Sequence, residues 1–216
     1  MERLLDTTLT PRARDALLRA GHPRDFAPGE VLFHQGDPSD SLYLLRQGRV
    51  VVRSATVDGD EVVLAVIAAP DELGELALLR PDHHHTATVV AIDDVHLLSV
   101  PAVRFRALRQ ERPELTEWLL ETLARRLERA GRLLGDALYE DAAHRVARRL
   151  LDCARALDLT GPGTLPVGQQ DVAAMAGVSR PTANRCLRRL EDGGVVRLRR
   201  RRIDVVDLAG LEHAAR

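Results

Sequence analysis

Gln169 to Val196 reads QQDVAAMAGVSRPTANRCLRRLEDGGVV, and its punctuation decides what the C-terminal third of the chain can be. A short helix is predicted over Gln169 to Ala176, a turn at Gly177, and a second helix over Arg180 to Glu191. Ser179 sits where a helix N-cap is needed, and Pro181 falls in the first turn, where a missing N–H breaks no intrahelical bond. Ala183, Leu187 and Leu190, joined by Val178 and Cys186, make one apolar face. Arg180, Pro181, Asn184, Arg185, Arg188 and Arg189 are left on the other. A solvated basic helix would account for the charge alone, but it needs neither the tight turn, the cap nor the buried face.

Working outward, Asp141 to Leu157 reads as a further helix with Val146, Leu150, Leu151, Ala154 and Leu157 on one face, followed by the loop LTGPGTLP. After the second short helix, VVRLRRRRIDVVD reads as a β hairpin with arginines at its tip. Three helices followed by a β wing is a winged helix-turn-helix plan, and its exposed guanidinium forks suit guanine edges in a major groove and phosphates beside it. Charge patterning agrees. Acids predominate between Asp37 and Asp94, whereas Arg180 to Arg202 carries nine arginines against Glu191 and Asp192, which suggests a polyanion partner at the C-terminal end. All 31 basic residues are arginine, so no single arginine can be read as chosen over lysine.

From about Phe26 to Pro101 the chain has short apolar runs broken by Gly29, Gly36, Gly48 and Gly59, with a hairpin signal at Asp58-Gly59 between Val50–Val57 and Glu61–Ile67. This predicts an all-β sandwich or roll. From about Pro101 to Ala137 the period becomes helical. Leu120, Leu123, Leu127, Ala130, Leu134 and Ala137 recur three and four apart, the seam of a two-stranded coiled coil. Trp118, Leu119 and Leu133 lie off that seam and could pack on the chain's own β domain. A single intradomain helix with a broad apolar face is the competing reading.

Other function classes are disfavoured. With no run of eighteen apolar residues and charges in MERLLDTTLT, the chain is expected to be cytoplasmic, without membrane contact. Cys153 and Cys186 are too few for an iron–sulfur cluster. No nucleophile elbow, P-loop or HExxH motif supports an enzyme.

Together these features resemble the cyclic-AMP receptor protein and FNR family of bacterial transcription regulators. The resemblance rests on PGEVLFHQGDPSDSLYLLRQGRVVV, DGDEVVLAVI, GELALL, the ARRL of Ala124 to Leu127, and GVSRPTANR. It implies an α+β chain: a cyclic-nucleotide-binding-like β jelly roll over 1–104, a dimerisation helix over 105–138, and a winged helix-turn-helix over 139–216. A homodimer binding a palindromic double-stranded DNA site and contacting RNA polymerase is implied with it. Dimerisation falls to Leu120, Leu123, Leu127, Ala130 and Leu134. The DNA-binding set is Ser179, Arg180, Pro181, Thr182, Asn184, Arg185 and Arg188, with Arg180 and Arg185 matching base readers and Thr182 and Arg188 phosphate contacts. Pro181 replaces the glutamate usual in the cyclic-AMP receptor protein and offers cytosine no acceptor, so the preferred half-site should differ there.

The resemblance also places a ligand site at Gly74, Glu75, Leu76, His85 and Thr86. Glu75 matches the residue that takes the ribose 2′-hydroxyl, and Thr86 keeps a hydroxyl where the family has serine. His85 stands where an arginine holds the cyclic phosphate, and Ala130 and Gly131 replace the adenine-contacting hydroxyls. A neutral imidazole is a poor substitute for a permanent cation. Gating by cyclic AMP is therefore not expected, and no cofactor is assigned. The alternatives are a cyclic-nucleotide-responsive regulator with a divergent pocket and, further off, a haem or metal sensor using His83, His84 and His85. Three adjacent residues on a strand cannot converge on one metal, though a loop would let them.

Overall fold

The structure is a computed structural model, described here for residues 9–55, 61–75, 79 and 84–216. Its elements run α1 (Pro11–Ala20), β1 (His22–Phe26), β2 (Val31–Phe33), β3 (Ser41–Gln47), β4 (Arg49–Ala55), β5 (Glu61–Ala68), β6 (Asp71–Leu73), β7 (Thr88–Ala91) and β8 (Val95–Pro101). The helical part follows with α2 (Ala102–Glu111), α3 (Glu114–Tyr139) and α4 (Ala142–Ala156). The chain ends with β9 (Gly163–Leu165), α5 (Gln169–Ala176), α6 (Arg180–Asp192), β10 (Val196–Arg199), β11 (Arg202–Val205) and α7 (Leu208–Ala214). Contacts divide it into two units, one running to Val50 and resuming at Ile67–Ala130, the other Val51–Val66 with Gly131–Arg216.

Two four-stranded sheets, ordered β1-β8-β3-β6 and β2-β7-β4-β5, make up the β-rich N-terminal part. Their short apolar runs carry buried residues in mixed patterns, as the roll reading requires. On β8, buried Val95, Leu97, Leu98 and Val100 are interrupted by exposed His96 and half-buried Ser99. β4 and β5 are neighbours, while the Asp58-Gly59 turn lies outside the described residues. One core joins sheet and helices: Leu17 of α1, Leu42 and Leu44 of β3, Val100 of β8, Phe105 of α2, and Leu115, Trp118 and Leu119 of α3. The Phe105 and Trp118 rings lie 6.2 Å apart, tilted by 58°. Trp118 and Leu119 of the second apolar edge thus pack on their own domain, while the Leu133 side chain lies outside the described residues.

The stretch expected as one helical region from Pro101 is two helices. The break falls at Arg112-Pro113, because proline lacks an N–H and bars helical dihedrals at the residue before it. Beyond the break α3 runs 26 residues. Leu120, Leu127 and Leu134 stay 60%, 74% and 61% exposed along it, and Leu123 tucks partly against the core instead of keeping to the exposed row.

In the second unit, Asp141 caps α4 by accepting the His144 N–H at 2.9 Å. The helix buries Val146, Ala147, Leu150, Leu151 and Ala154. Asp136 takes Arg148 at 2.8 Å and Arg149 at 2.7 Å, tying the end of α3 to α4. The Gly- and Pro-rich segment read as a loop contains β9, which completes a sheet ordered β10-β11-β9. Its Leu165 side chain is fully buried opposite Ile203, so tertiary burial overrides local turn chemistry there. No helix among the described residues is long and apolar enough to cross a membrane.

Candidate functional site

Two constellations were expected. The first is the exposed face of α6. Gly177 has φ +60°, the left-handed geometry that ends α5 without a β-carbon clash. Ser179 then caps α6, its hydroxyl accepting the Thr182 N–H at 3.4 Å. Ala183, Cys186 and Leu187 are buried, Val178 and Leu190 half-buried, while Arg180, Pro181, Arg185, Arg188 and Arg189 are exposed. Asn184 departs from the expected outward set: it is half-buried, and its Oδ1 is enclosed with no hydrogen-bond partner among the described residues. Thr182 has a role that spacing did not suggest. Its hydroxyl lies 2.9 Å from Ser179 Oγ and accepts Arg185 Nη2 at 3.3 Å, so the cap pre-orients a guanidinium.

At the start of α5, Asp171 accepts the Gly168 N–H at 2.6 Å through one carboxylate oxygen and the Val63 N–H of β5 at 3.1 Å through the other. A cleft of about 660 Å³ is lined by the start of α5, by Arg180 and by Leu198 to Arg201 of the wing. Arg180, Arg199, Arg200 and Arg201 supply its positive charge. This is a surface for a polyanion.

The second constellation follows β6. Gly74 has φ +75°, and a β-carbon there would come within 2.8 Å of the Ser41 carbonyl oxygen, so the turn into the site admits only glycine. Glu75, 4% exposed, pairs through Oε2 with Arg126 Nη1 of α3 at 2.8 Å. Arg126 also donates to the Glu72 carbonyl, and Arg125 Nη2 lies 3.6 Å from Glu72 Oε1. Burial raises the Glu72 carboxyl above its ordinary range, as does the neighbouring Asp71, and the arginines only partly offset this. Burial likewise raises Asp71.

The histidines separate. His84 Nδ1 donates to the Gly36 carbonyl at 2.8 Å, since a carbonyl can only accept. His85 turns inward, 7% exposed, with its ring stacked on Phe33 at 3.7 Å and 12°. Its N–H donates to the Asp37 carbonyl and its own carbonyl accepts from Gly36, pinning the segment. Burial lowers its pKa, with Asp37 and Asp40 pulling weakly the other way. Thr86 is exposed. Leu76 and His83 lie outside the described residues, and Ala130 and Gly131 are exposed on α3 without side-chain donors. Sequence spacing could not have found the Phe33 stack, since Phe33 ends β2 and His85 lies in the segment before β7, far along the chain.

Residues 23–112 match the cyclic nucleotide-binding domain family, and residues 144–214 match the Crp-like helix-turn-helix domain. The chain is 33% identical over 210 residues to the CRP-like cAMP-activated global transcriptional regulator of Mycobacterium tuberculosis, covering 95% of this chain and 93% of that one. The chain belongs to the cyclic-AMP receptor protein and FNR family of transcription regulators. A second family member, the cyclic AMP receptor protein of Thermus thermophilus, is 34% identical, with 96% of this chain and 94% of the relative covered. The catabolite activator protein structure from Thermus thermophilus aligns with a TM-score of 0.57 at 33% identity, over 98% of both chains. The fold is also that of the c-di-GMP responsive global regulator CLP of Xanthomonas campestris, at a TM-score of 0.74 over 91% of this chain and 99% of that one, with 22% identity. As a family member the chain is a DNA-binding transcription regulator with a cyclic nucleotide-binding domain.

Proposed function

We propose that the chain acts in the cytoplasm as a homodimer, binds a palindromic duplex site through α6, contacts RNA polymerase, and is not switched by cyclic AMP. The working division is an effector-type domain over 1–104, a dimer helix over 105–138 and a DNA-binding domain over 139–216. The observation that carries this reading is the α6 face: exposed Arg180, Arg185 and Arg188 on a helix fixed by a buried opposite face and by the Ser179–Thr182–Arg185 chain of hydrogen bonds. Arg185 and Arg180 address base edges, Arg188 and Thr182 phosphates, and Ser179, Pro181 and Asn184 shape the helix start between them. Dimerisation is supported by the row Leu120, Leu127 and Leu134, which recurs every seven residues and lies exposed.

The departure from cyclic AMP rests on His85. A buried, stacked imidazole with a lowered pKa is neutral at pH 7, and a phosphodiester needs a cation. Selection from a randomised duplex library without added nucleotide tests the reading. Enrichment of an inverted repeat bound by a dimer is expected, and recovery of bound duplex only when cyclic AMP is present would overturn the claim about switching. A cyclic-nucleotide-responsive regulator with a divergent pocket is the second reading. It is favoured by buried Glu75 being held by the half-exposed Arg126 and by the relative from Mycobacterium tuberculosis being cAMP-activated. Calorimetry with cyclic AMP and other cyclic nucleotides separates the two.

A further inference from the structure

Helix α3 enters its last turns with little helical strength of its own. Gly131 and Gly135 both fall there, and a β-carbon at either would meet nothing within 4 Å, so packing within the chain calls for neither glycine. Each leaves the helix freer to bend than alanine would. What holds this end comes from α4. Asp136, beside the second glycine and just past Leu134 of the exposed leucine row, accepts Arg148 Nη1 at 2.8 Å through one oxygen and Arg149 Nη2 at 2.7 Å through the other. Arg149 Nη1 also reaches Asp152 at 3.1 Å, and Arg148 Nη2 lies 3.7 Å from Glu140. The Asp136 and Arg149 side chains are only 17% and 11% exposed, so salt screens them less than a surface bridge. One turn earlier in α4, Arg145 donates to the Glu140 carbonyl at 2.8 Å and, more loosely, to that of Asp136 at 3.5 Å, which sets a cation at the negative end of the α3 dipole. Its Nε donates to the Ala176 carbonyl at the end of α5, at 3.0 Å.

The clasp joins the end of the leucine row to the platform of the reading head. α4 packs on α5, α6 and α7, so a turn of α4 against α3 carries α6 with it. In a dimer held by the two leucine rows, the angle at which each α4 leaves α3 decides how far apart, and at what rotation, the two copies of α6 stand. We infer that Asp136 is a positioning residue for DNA reading: its hold on Arg148 and Arg149 sets the spacing between half-sites that the dimer accepts. Asp136 lies outside α6, so it bears on spacing and not on the identity of the bases read. One base pair added between half-sites moves the second by about 3.4 Å and turns it by about 35°. DNA absorbs part of that by twisting, and a head fixed through α4 does not supply the rest. The inference rests on the dimer and the α6 placement proposed above, and it names the residues that fix the geometry between the two reading helices.

The test uses the full-length protein and duplexes that keep one inverted repeat and vary only the length of the central spacer, shorter and longer than the preferred one. Anisotropy titrations of the native protein should show binding weakened about tenfold by each base pair added or removed. Asp136→Asn keeps the shape but gives up the charge, with one oxygen left to serve two guanidiniums. Its spacer preference should fall below about threefold per base pair, while its discrimination against a substituted base inside the half-site stays within about twofold of native. Arg149→Gln loosens the same clasp from the α4 side and should show the same loss, so a fold damaged in one variant leaves the other to report. The double variant should lose no more than either single one, as partners in one interaction do. Sedimentation of the complexes establishes that a dimer is being read, since independent monomers would be indifferent to spacing. Dimeric Asp136→Asn and Arg149→Gln that keep the native spacer preference overturn the inference, as does a native dimer that binds all spacers alike. Failure of the native protein to bind any inverted repeat would instead sink the α6 reading and this inference with it. Arg185→Ala, by contrast, should lose base discrimination with spacer preference intact, which keeps failure at the clasp and failure at the helix distinguishable.

Discussion

His85→Arg should convert the β-domain site into one that holds a cyclic phosphate. In the native protein the imidazole is buried against Phe33 and its pKa is lowered from the ordinary value near 6.5. To meet a phosphodiester it must take up a proton, which at pH 7.5 costs at least about 1.4 kcal/mol. The sign follows from the two states: the free site holds the pKa down and a bound anion raises it. Native affinity for cyclic AMP should therefore strengthen as pH falls below 7.5 and level off once the free histidine is charged, below its lowered pKa. A guanidinium is charged throughout, and its flat face can keep the stack on Phe33. The charge-assisted contact should add about 1.5 to 3 kcal/mol at pH 7.5, roughly ten- to 150-fold in Kd, with no pH dependence between 6 and 8. Ala130 and Gly131 would still leave the adenine weakly held. Titration calorimetry at pH 6 and 7.5, in buffers of different ionisation enthalpy, reads both affinity and proton uptake. Micromolar, pH-independent binding by the native protein, or no gain in the variant, refutes the reasoning.

Leu127→Glu should give monomers: a leucine 74% exposed in the single chain gains about 1 to 2 kcal/mol per copy on burial, and two facing carboxylates reverse that; an intact dimer in sedimentation velocity at micromolar protein removes the seam argument. Arg185→Ala should cost about 1 to 3 kcal/mol and relax one base pair in each half-site, whereas Arg188→Ala should weaken all sequences alike; a randomised-site selection that loses affinity uniformly for both breaks that division. Ser179→Ala should lower stability by about 1 kcal/mol, and it should weaken half-site discrimination as well, because the Ser179–Thr182 contact supports Arg185; unchanged discrimination beside a lowered melting temperature would confine the serine to capping. Gly74→Ala should abolish any ligand binding and lower stability, since its β-carbon meets the Ser41 carbonyl; native-like melting in that variant contradicts the close approach.

What sequence could show was set by how local the physics is. Ser179, Pro181 and Gly177 act within one turn of chain, so the bounds of α5 were readable outright and those of α6 to within a residue. The off-seam edge at Trp118 and Leu119 was readable for the same reason, through period. The break at Arg112-Pro113 was available in the proline yet hidden by apolar periodicity on both sides of it. β9 was missed because its strand character comes from pairing with β11, far along the chain. At the candidate ligand site Glu75 and His85 were singled out by resemblance. Their partners were not: Arg126 reaches Glu75 from a helix 51 positions on, and only the folded chain lays His85 on Phe33.

Asp171 gives the hairpin strand and the reading head a shared acceptor. One carboxylate oxygen serves the backbone that starts α5 and the other the backbone of β5 at Val63. Order at either donor should hold the carboxylate in place for the other, so the two hydrogen bonds are expected to be linked, and any such linkage is reciprocal. DNA that immobilises the start of α5 should slow amide exchange at Val63, and anything that stiffens β5 should return the same factor as DNA affinity. In Asp171→Asn, whose amide keeps only one acceptor oxygen, that exchange of information should fail in both directions while α6 still carries its arginines to the groove.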